Sequence, residues 1–245
     1  MNAIEVRDLT RVFRRGKVRA VDGVSFDVPQ GTVLGLIGAN GAGKSTLFRL
    51  LTGHIRATSG TAVVLGHPVS QSDPSRWLRT GYVSQSRYLP GGMTGAECLR
   101  FARALRGGWD DQKVAQLVDR LAFPQHARIR ELSRGHYVRL QIALALAYNP
   151  EVIFLDEPTA GLDPSGRREL MGLLIDEIGL RGRTVLFASH TMEDMERMAD
   201  SVAIMDAGRI VSMGPLDSLK KDAGADVNSA SLEQVFFQTV ERRPE

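Results

Sequence analysis

The chain contains, between positions 38 and 45, the run Gly38-Ala39-Asn40-Gly41-Ala42-Gly43-Lys44-Ser45. This run matches the phosphate-binding pattern GxxxxGK[ST] without a mismatch. It follows a continuous apolar stretch from Val33 to Ile37, which is typical of a strand covered on both faces. It leads into a stretch from Ser45 to Thr52 that is apolar on one side, as an amphipathic helix is. A buried strand, a glycine-rich turn and a helix in this order predict an α/β fold with a phosphate site at the turn.

Each residue type in this run has a chemical role at a phosphate. Glycines let backbone N–H groups close around phosphate oxygens, and the following helix presents its positive N-terminal end to the same anion. Lys44 is long enough to reach the β- and γ-phosphates of a nucleotide, and the Ser45 hydroxyl is a ligand for magnesium. A glycine-rich turn without a ligand is the alternative interpretation. The predicted nucleotide contacts are Gly38, Asn40, Gly41, Ala42, Gly43, Lys44, Ser45 and Thr46.

Two acidic residues follow a second buried-strand pattern. The apolar stretch from Val152 to Leu155 runs directly into Asp156 and Glu157. If this strand is parallel to the first and ends beside the phosphate loop, Asp156 points at the magnesium shell and Glu157 at the γ-phosphate. One acid then holds the metal while the other polarises or deprotonates the attacking water. The alternative is a pair of solvated loop acids.

Two further polar residues come after predicted strands. His190 follows the buried stretch from Thr184 to Ser189, and Gln85 follows Gly81 to Ser84. His190 on the same sheet edge as the loop is a candidate contact for the γ-phosphate. Taken singly, a histidine in such a place is more often a hydrogen-bonded packing residue, and Gln85 is a polar strand end.

The bulk composition limits the class of function. The 245 residues carry a formal net charge of only +3, and the basic residues are scattered, so we expect no nucleic-acid partner. The single cysteine, Cys98, excludes an intrachain disulfide. Apolar runs such as Ile142 to Tyr148 are far shorter than the roughly 18 residues that a membrane span needs. We therefore expect that the chain does not cross a membrane by itself.

The order of the predicted elements gives the fold class. Short alternating strands near the N-terminus predict an antiparallel β subdomain. Buried strands separated by helices predict a parallel core with right-handed crossovers. From Ser86 to Asn149 the periodicity is helical; one helix is predicted to begin after Asp110 or Asp111. We predict a P-loop NTPase core with a mixed sheet, an antiparallel β subdomain and an inserted helical subdomain. We expect one domain over 1–245, with its core in 1–86 and 148–215, a helical subdomain in 87–147 and a helical extension in 216–245.

Taken together, the motifs resemble those of the nucleotide-binding subunit of ABC transporters, from about Ile4 to Leu219. The other short motifs of that family also occur in its order: a Q-loop glutamine, a signature sequence, a D-loop and a switch histidine. They are Gln85, the signature Leu132-Ser133-Arg134-Gly135-His136, Asp163 in Gly161-Leu162-Asp163, and His190. Each motif is weak alone, but the ordered set is specific.

The resemblance implies a mechanism that needs two ATPase subunits. In that family two copies pack head to tail, the signature of each contacts the nucleotide held by the phosphate loop of the other, and hydrolysis reopens the dimer. The implied cofactors are ATP and Mg²⁺. The implied catalytic residues are Glu157, His190 and Gln85, and the implied metal ligands are Ser45, Gln85 and Asp156. Phe13 occupies the place of the aromatic residue that stacks on adenine; a hydrophobic residue packed in an edge strand is the alternative.

The resemblance also implies partners and a location. The helical subdomain, mainly from Arg87 to Arg106, is expected to dock onto a separate transmembrane subunit at the cytoplasmic face of the membrane. Pairing with an identical or a different ATPase subunit is left open. The C-terminal run from Ser231 to Phe237 is similar to an element of bacterial export subunits, and an amphipathic terminal helix explains it equally well.

The signature departs from the family's usual LSGGQ at two positions. Arg134 replaces a glycine and His136 replaces the glutamine, whereas Ser133 and Gly135 are retained. Arg134 adds a charge that either holds phosphate, meets a partner or is a solvated surface residue.

Two other classes of function compete with a transport ATPase. A soluble ABC ATPase of DNA repair or translation is disfavoured, because the interval from Ser86 to Glu131 has no room for a long coiled coil and the chain has no second phosphate loop. The chain could instead be a regulatory ATP-binding partner of low activity. The presence of Glu157 argues against this interpretation, whereas the altered signature favours it.

Overall fold

The computed structural model describes residues 1–13, 18–70, 79–105, 108–179, 182–222, 232–233 and 236. Contacts divide the chain into two compact units, one formed by residues 1–73 and 184–245 and the other by residues 74–183. The predicted subdomain boundaries at 86/87 and 147/148 differ from this division, because the second unit contains two strands that pair with each other as well as the helices. The predicted division into a core, a helical subdomain and a C-terminal extension stays a prediction.

The first unit contains an antiparallel sheet of four strands, as predicted. These strands are β1 (Asn2–Phe13), β2 (Val18–Pro29), β4 (Ser59–Val64) and β5 (His67–Pro68), in the order β2-β1-β4-β5. Ile4 of β1 pairs with Val28 on one side and Val64 on the other, and all three side chains are buried. The alternation of apolar and polar residues therefore places one face of this sheet in the core.

The first unit also contributes mixed strands around β3 (Val33–Ile37). Its neighbours are β8 (Thr184–Ala188) and β9 (Ser201–Asp206), both parallel to it, and β10 (Arg209–Pro215) lies antiparallel to β9. The strand order is β10-β9-β3-β8. Three helices accompany these strands: α1 (Lys44–Leu51), α6 (Met192–Met198) and α7 (Leu216–Asp222).

The second unit consists of two parallel strands and a set of helices. The strands β6 (Thr80–Val83) and β7 (Val152–Asp156) pair in register, with Val83 opposite Leu155. The helices are α2 (Gly95–Leu105), α3 (Asp111–Leu121), a 3₁₀ turn (Ile129–Glu131), α4 (Arg134–Leu146) and α5 (Pro164–Gly179).

Helix α3 shows why the sequence folds this way locally. The Asp110 carboxylate accepts a hydrogen bond from the backbone N–H of Lys113 at 3.0 Å, so Asp110 is the N-cap. The predicted apolar face is buried; it comprises Val114, Leu117, Val118 and Leu121. Ala122, in a left-handed conformation, ends the helix.

Helix α4 packs directly against β6. A side-chain carbon added to Gly81 would lie 2.8 Å from the carbonyl oxygen of Ala145, so only glycine admits this approach. Tyr137 and Gln141 of α4 are completely buried. This packing fixes where the chain leaves β6 and enters the segment that begins at Ser84.

Within the part of the chain that the structure describes, no helix has both the length and the apolar character to cross a membrane. Of the C-terminal run from Ser231 to Phe237, the described residues are Leu232, Glu233 and Phe236, which are helical. Leu232 is buried, and its backbone N–H donates to Glu196 at 3.0 Å. The rest of this run lies outside the described residues.

Candidate nucleotide-binding site

The glycine-rich loop lies where the sequence predicts it, between β3 and α1 in the first unit. Gly43, the residue before α1, has a φ of 107°, and a side-chain carbon there would lie 2.1 Å from the carbonyl oxygen of Ala20. An added carbon on Gly38 would lie 2.3 Å from the carbonyl oxygen of Met205. These two positions therefore exclude any side chain, because the loop packs closely against the backbone at Ala20 and Met205 directly before α1.

Lys44 is folded onto its own loop. Its ammonium donates to the carbonyl oxygens of Gly38 at 2.6 Å and Ala39 at 3.3 Å, and the residue is only 5% exposed. Ser45 and Thr46, the next two residues of α1, are half-buried. The loop thus positions a cation and a hydroxyl at one helix start, which is the pair of groups that a triphosphate with magnesium requires.

His190 lies at the same sheet edge as the loop. Strands β3 and β8 are parallel neighbours, with Leu36 opposite Ala188, so both continue past the same edge. His190 is exposed two residues beyond the end of β8. Parallel pairing therefore places this histidine beside the end of the strand that leads into the glycine-rich loop.

The second unit brings together Gln85 and Glu157. Because β6 and β7 are parallel, the residues that follow them emerge at one edge, and the Gln85 side-chain amide donates to Oε2 of Glu157 at 3.0 Å. Asp156 and Glu157 are 2% and 6% exposed, so they are not solvated loop acids. Glu157 has a φ of 50°, a left-handed conformation that costs a residue with a side chain about 1–3 kcal/mol and is typical of functional sites.

The signature sequence begins α4. Ser133 is the N-cap, and its hydroxyl oxygen accepts from the backbone N–H of His136 at 3.2 Å. The helix therefore starts directly after Ser133. Ser133 is exposed, whereas Arg134, Gly135 and His136 are half-buried.

Arg134 is not a solvated surface residue. Its guanidinium donates from Nη1 to the carbonyl oxygen of Gln85 at 2.6 Å and from Nε to that of Ala160 at 3.2 Å. Partial burial, together with the neighbouring Arg87, lowers the pKa of Arg134 from its ordinary value. The guanidinium is thus held by backbone carbonyls of its own chain.

Asp163 of the D-loop begins α5. Its Oδ1 accepts from the backbone N–H groups of Ser165 and Gly166, both at 3.0 Å. These two hydrogen bonds, that of Gly166 first, lower the pKa of the Asp163 carboxyl. A helix therefore begins directly after Asp163, with Pro164 as its first residue.

Phe13 is the last residue of β1. It is 37% exposed, and the guanidinium carbon of Arg11 lies 4.8 Å from the centre of its ring. The ring is thus available at the edge of the first unit, and a cation already covers one face of it.

Sequence reasoning missed two buried side chains beside this site. The hydroxyl oxygen of Tyr137 and the amide oxygen of Gln141 both accept hydrogen bonds from backbone N–H groups of the segment around Gln85. A glutamine inside the otherwise apolar stretch from Leu140 to Leu146 was the available signal, because a buried polar side chain needs a partner.

The strand order, the glycine-rich loop and the acids after β7 define a P-loop nucleotide-binding domain. The family described as ABC transporter matches residues 21–160. The chain therefore belongs to the ABC transporter family, and the predicted family and fold class are both confirmed.

Individual relatives agree with this membership. ATP-binding cassette sub-family A member 7 of Rattus norvegicus is 40% identical over 91% of the chain, although the chain spans only 10% of that protein. The daunorubicin/doxorubicin resistance ATP-binding protein DrrA of Streptomyces peucetius is 35% identical over 92% of the chain and 69% of its own length. A solved structure of the ATP-binding subunit of an ABC transporter superposes with a TM-score of 0.83 at 25% identity, covering 97% of this chain and 99% of that one.

Proposed function

We propose that the chain binds ATP with Mg²⁺ and hydrolyses it, and that hydrolysis powers transport through a separate transmembrane subunit. The observation that carries hydrolysis is the buried Glu157 after β7, held 3.0 Å from the Gln85 amide. Family membership and the glycine-rich loop after β3 support ATP as the nucleotide.

The phosphate contacts are proposed to come from the loop. Backbone N–H groups from Gly38 to Thr46 bind the phosphate oxygens at the start of α1. Lys44 exchanges its two loop carbonyls for the β- and γ-phosphates, which are stronger acceptors because they are charged. Phe13 stacks on the adenine ring.

The proposed metal ligands are Ser45, Asp156 and Gln85. A hydroxyl, a carboxylate and an amide oxygen are the hard oxygen donors that Mg²⁺ prefers, so the residues present fit this ion. When bound, Mg²⁺ supplies charge neutralisation at the phosphates. Gln85 has to turn its amide oxygen toward the metal, since its nitrogen is the atom that now donates to Glu157.

Glu157 is the proposed general base. Its carboxylate accepts a proton from the attacking water, and its placement directly after a buried strand keeps it in one position. His190 is proposed to contact the γ-phosphate from the end of β8. A carboxylate that accepts the proton and a histidine that contacts the phosphate together orient the water for attack.

Assembly is proposed to follow the family pattern. Ser133 and Gly135 at the start of α4 offer a hydroxyl and backbone N–H groups to the nucleotide of a second ATPase subunit. Arg134 and His136 of the signature, and Asp163 of the D-loop, are proposed to belong to the same interface. The second subunit is identical or different.

The stretch 87–106 is proposed to contact the transmembrane subunit, which would place the chain at the cytoplasmic face of the membrane. Along it, Tyr88, Phe101 and Leu105 are 53%, 58% and 65% exposed, an apolar surface suited to burial by a partner.

Export is the proposed direction. It is supported by the resistance protein named above, which is similar over 92% of this chain. The C-terminal run 231–237 adds to this through its likeness to export subunits.

The test is the substitution Glu157→Gln, measured as phosphate release with Mg²⁺ and with EDTA. We expect turnover about 10²- to 10⁴-fold lower than in the natural protein, the usual contribution of a positioned base, and unchanged ATP affinity. The matched control is Glu151→Gln. Glu151 directly precedes the start of β7, and its exposed ion pair with Arg79 contributes little to stability. If the Glu157 variant turned over ATP as fast as the natural protein, Glu157 would not be the general base. If the natural protein bound ATP without hydrolysing it, the function of a regulatory ATP-binding partner would be favoured instead.

A further inference from the structure

One face of α4 holds the segment that carries Gln85. Arg134, Tyr137 and Gln141 are spaced three and four residues apart, so they share a side of the helix. Each makes a hydrogen bond to the backbone of the segment 84–89. We call these three residues the α4 clamp.

The contacts of the α4 clamp follow the segment in order. Gln141 Oε1 accepts from the backbone N–H of Ser84 at 2.8 Å. Arg134 donates to the carbonyl oxygen of Gln85 at 2.6 Å. The Tyr137 hydroxyl oxygen accepts from the backbone N–H groups of Tyr88 at 2.8 Å and Leu89 at 3.2 Å. Four backbone groups of this segment are therefore fixed by one helix.

A side chain of the segment, Arg87, also contacts residues at the start of α4. The guanidinium of Arg87 donates to the carbonyl oxygen of Leu132 at 2.8 Å and lies 4.9 Å from the centre of the Tyr137 ring. This cation–π contact adds to the hydrogen bonds because the ring is completely buried. The start of α4 and the segment are thus tied in both directions.

Arg134 is the member of the clamp that links the segment 84–89 to the chain just beyond Glu157. Its Nη1 holds Gln85, whose side chain donates to Glu157, and its Nε holds Ala160, three residues beyond Glu157. A planar guanidinium can hold two acceptors at a fixed separation. A glycine in this place, as in the usual signature of the resembled family, would make neither contact.

We propose that Arg134 is a positioning residue for hydrolysis, which sets the separation between Gln85 and Glu157 by bridging the backbone at Gln85 and Ala160. This inference rests on the proposed function. It assigns to Arg134 a role within its own chain rather than contact with a nucleotide bound by another subunit. The two roles differ in their kinetic signature.

The first test measures Arg134→Ala in the full chain. We expect kcat to fall about 10- to 100-fold, since a displacement of about 1 Å at a reacting group has effects of this size, while the KM for ATP stays within about twofold. Arg134→Lys should lie between the alanine variant and the natural protein, because an ammonium still donates to the Gln85 carbonyl. The matched control is Arg168→Ala, an exposed arginine on α5, which should leave both constants unchanged.

Two kinetic outcomes overturn the proposal. An unchanged kcat in Arg134→Ala would show that the bridge does not position the reacting groups. A raised KM with an unchanged kcat would assign Arg134 to nucleotide binding instead. Natural protein without any turnover would contradict the proposed function and not this inference.

The second test does not depend on activity or on the alanine variant folding. Tyr137→Phe removes only the hydroxyl, so the buried ring and its contact with Arg87 remain. We expect the amide hydrogens of Tyr88 and Leu89 to exchange at least about tenfold faster in this variant, because their acceptor is lost. Arg134→Lys should raise exchange in the same segment less than Tyr137→Phe does. Unchanged exchange at both amides in Tyr137→Phe would show that α4 does not hold the segment.

Discussion

The position of Lys44 explains how one residue can serve the loop before and after a ligand binds. An ammonium that is 5% exposed needs acceptors, and the carbonyl oxygens of Gly38 and Ala39 supply them. Both carbonyls belong to the loop itself, so the lysine stabilises the conformation of the loop. A phosphate oxygen carries a charge, so it is a stronger acceptor for the ammonium than these two carbonyls are.

Replacing Lys44 with alanine should therefore weaken nucleotide binding. Loss of a charge-assisted contact to phosphate costs about 1.5–3 kcal/mol, so we expect ATP to bind about 10- to 100-fold more weakly. Isothermal calorimetry with a non-hydrolysable ATP analogue measures it. Lys221→Ala, an exposed lysine on α7, is the control and should bind like the natural protein. Undiminished affinity in the Lys44 variant would contradict the assignment of the loop.

At the scale of elements, α5 begins on a carboxylate that must be ionised to serve fully as its cap. Asp163 accepts two backbone N–H groups at 3.0 Å, and its pKa is lowered in the folded protein. A lowered pKa means that the cap stabilises the fold above the ordinary aspartate value of about 3.9 and that this contribution is lost as the pH falls through the lower, folded value.

We therefore compare the natural protein with Asp163→Asn, which keeps an acceptor oxygen but does not titrate. The free energy of unfolding in urea should be higher for the natural protein at pH 6, and the difference should shrink as the pH is lowered below about 4. Other carboxylates titrate in both proteins and largely cancel in the difference. A difference that is independent of pH would show that the charge of Asp163 does not contribute to the start of α5.

An element was predictable from the sequence when the residues that define it lie close together along the chain. The α3 helix was predictable because its cap at Asp110 and its buried face from Val114 to Leu121 are local signals. The strand β7 was predictable from four consecutive apolar residues, Val152 to Leu155, and the structure buries all five of its positions. The bridge made by Arg134 was not, because its partner Gln85 is 49 residues away and a long side chain has many possible acceptors. Separation in sequence, rather than residue type, set this limit.

At the scale of the whole molecule, the motifs are shared between the two units. The first unit contains the glycine-rich loop, Phe13 and His190, and the second contains Gln85, Glu157 and the signature. The phosphate loop and the signature belong to different units of one chain, and both are proposed to bind the triphosphate. In a head-to-tail pair each nucleotide would be bound by the loop of one subunit and the signature of the other, so two ATP molecules would be required to hold the pair together.

This requirement predicts an association that depends on ATP and is lost on hydrolysis. Glu157→Gln, which is expected to slow turnover, should double in molar mass when ATP and Mg²⁺ are added, as measured by light scattering after size-exclusion chromatography. The same variant should stay at the mass of one chain with ADP, because ADP lacks the γ-phosphate that the signature is proposed to bind. Adding Lys44→Ala to it should prevent the doubling, since the loop no longer binds ATP tightly. If Glu157→Gln binds ATP by calorimetry yet keeps the mass of one chain, pairing with an identical subunit is excluded and a different partner ATPase is required.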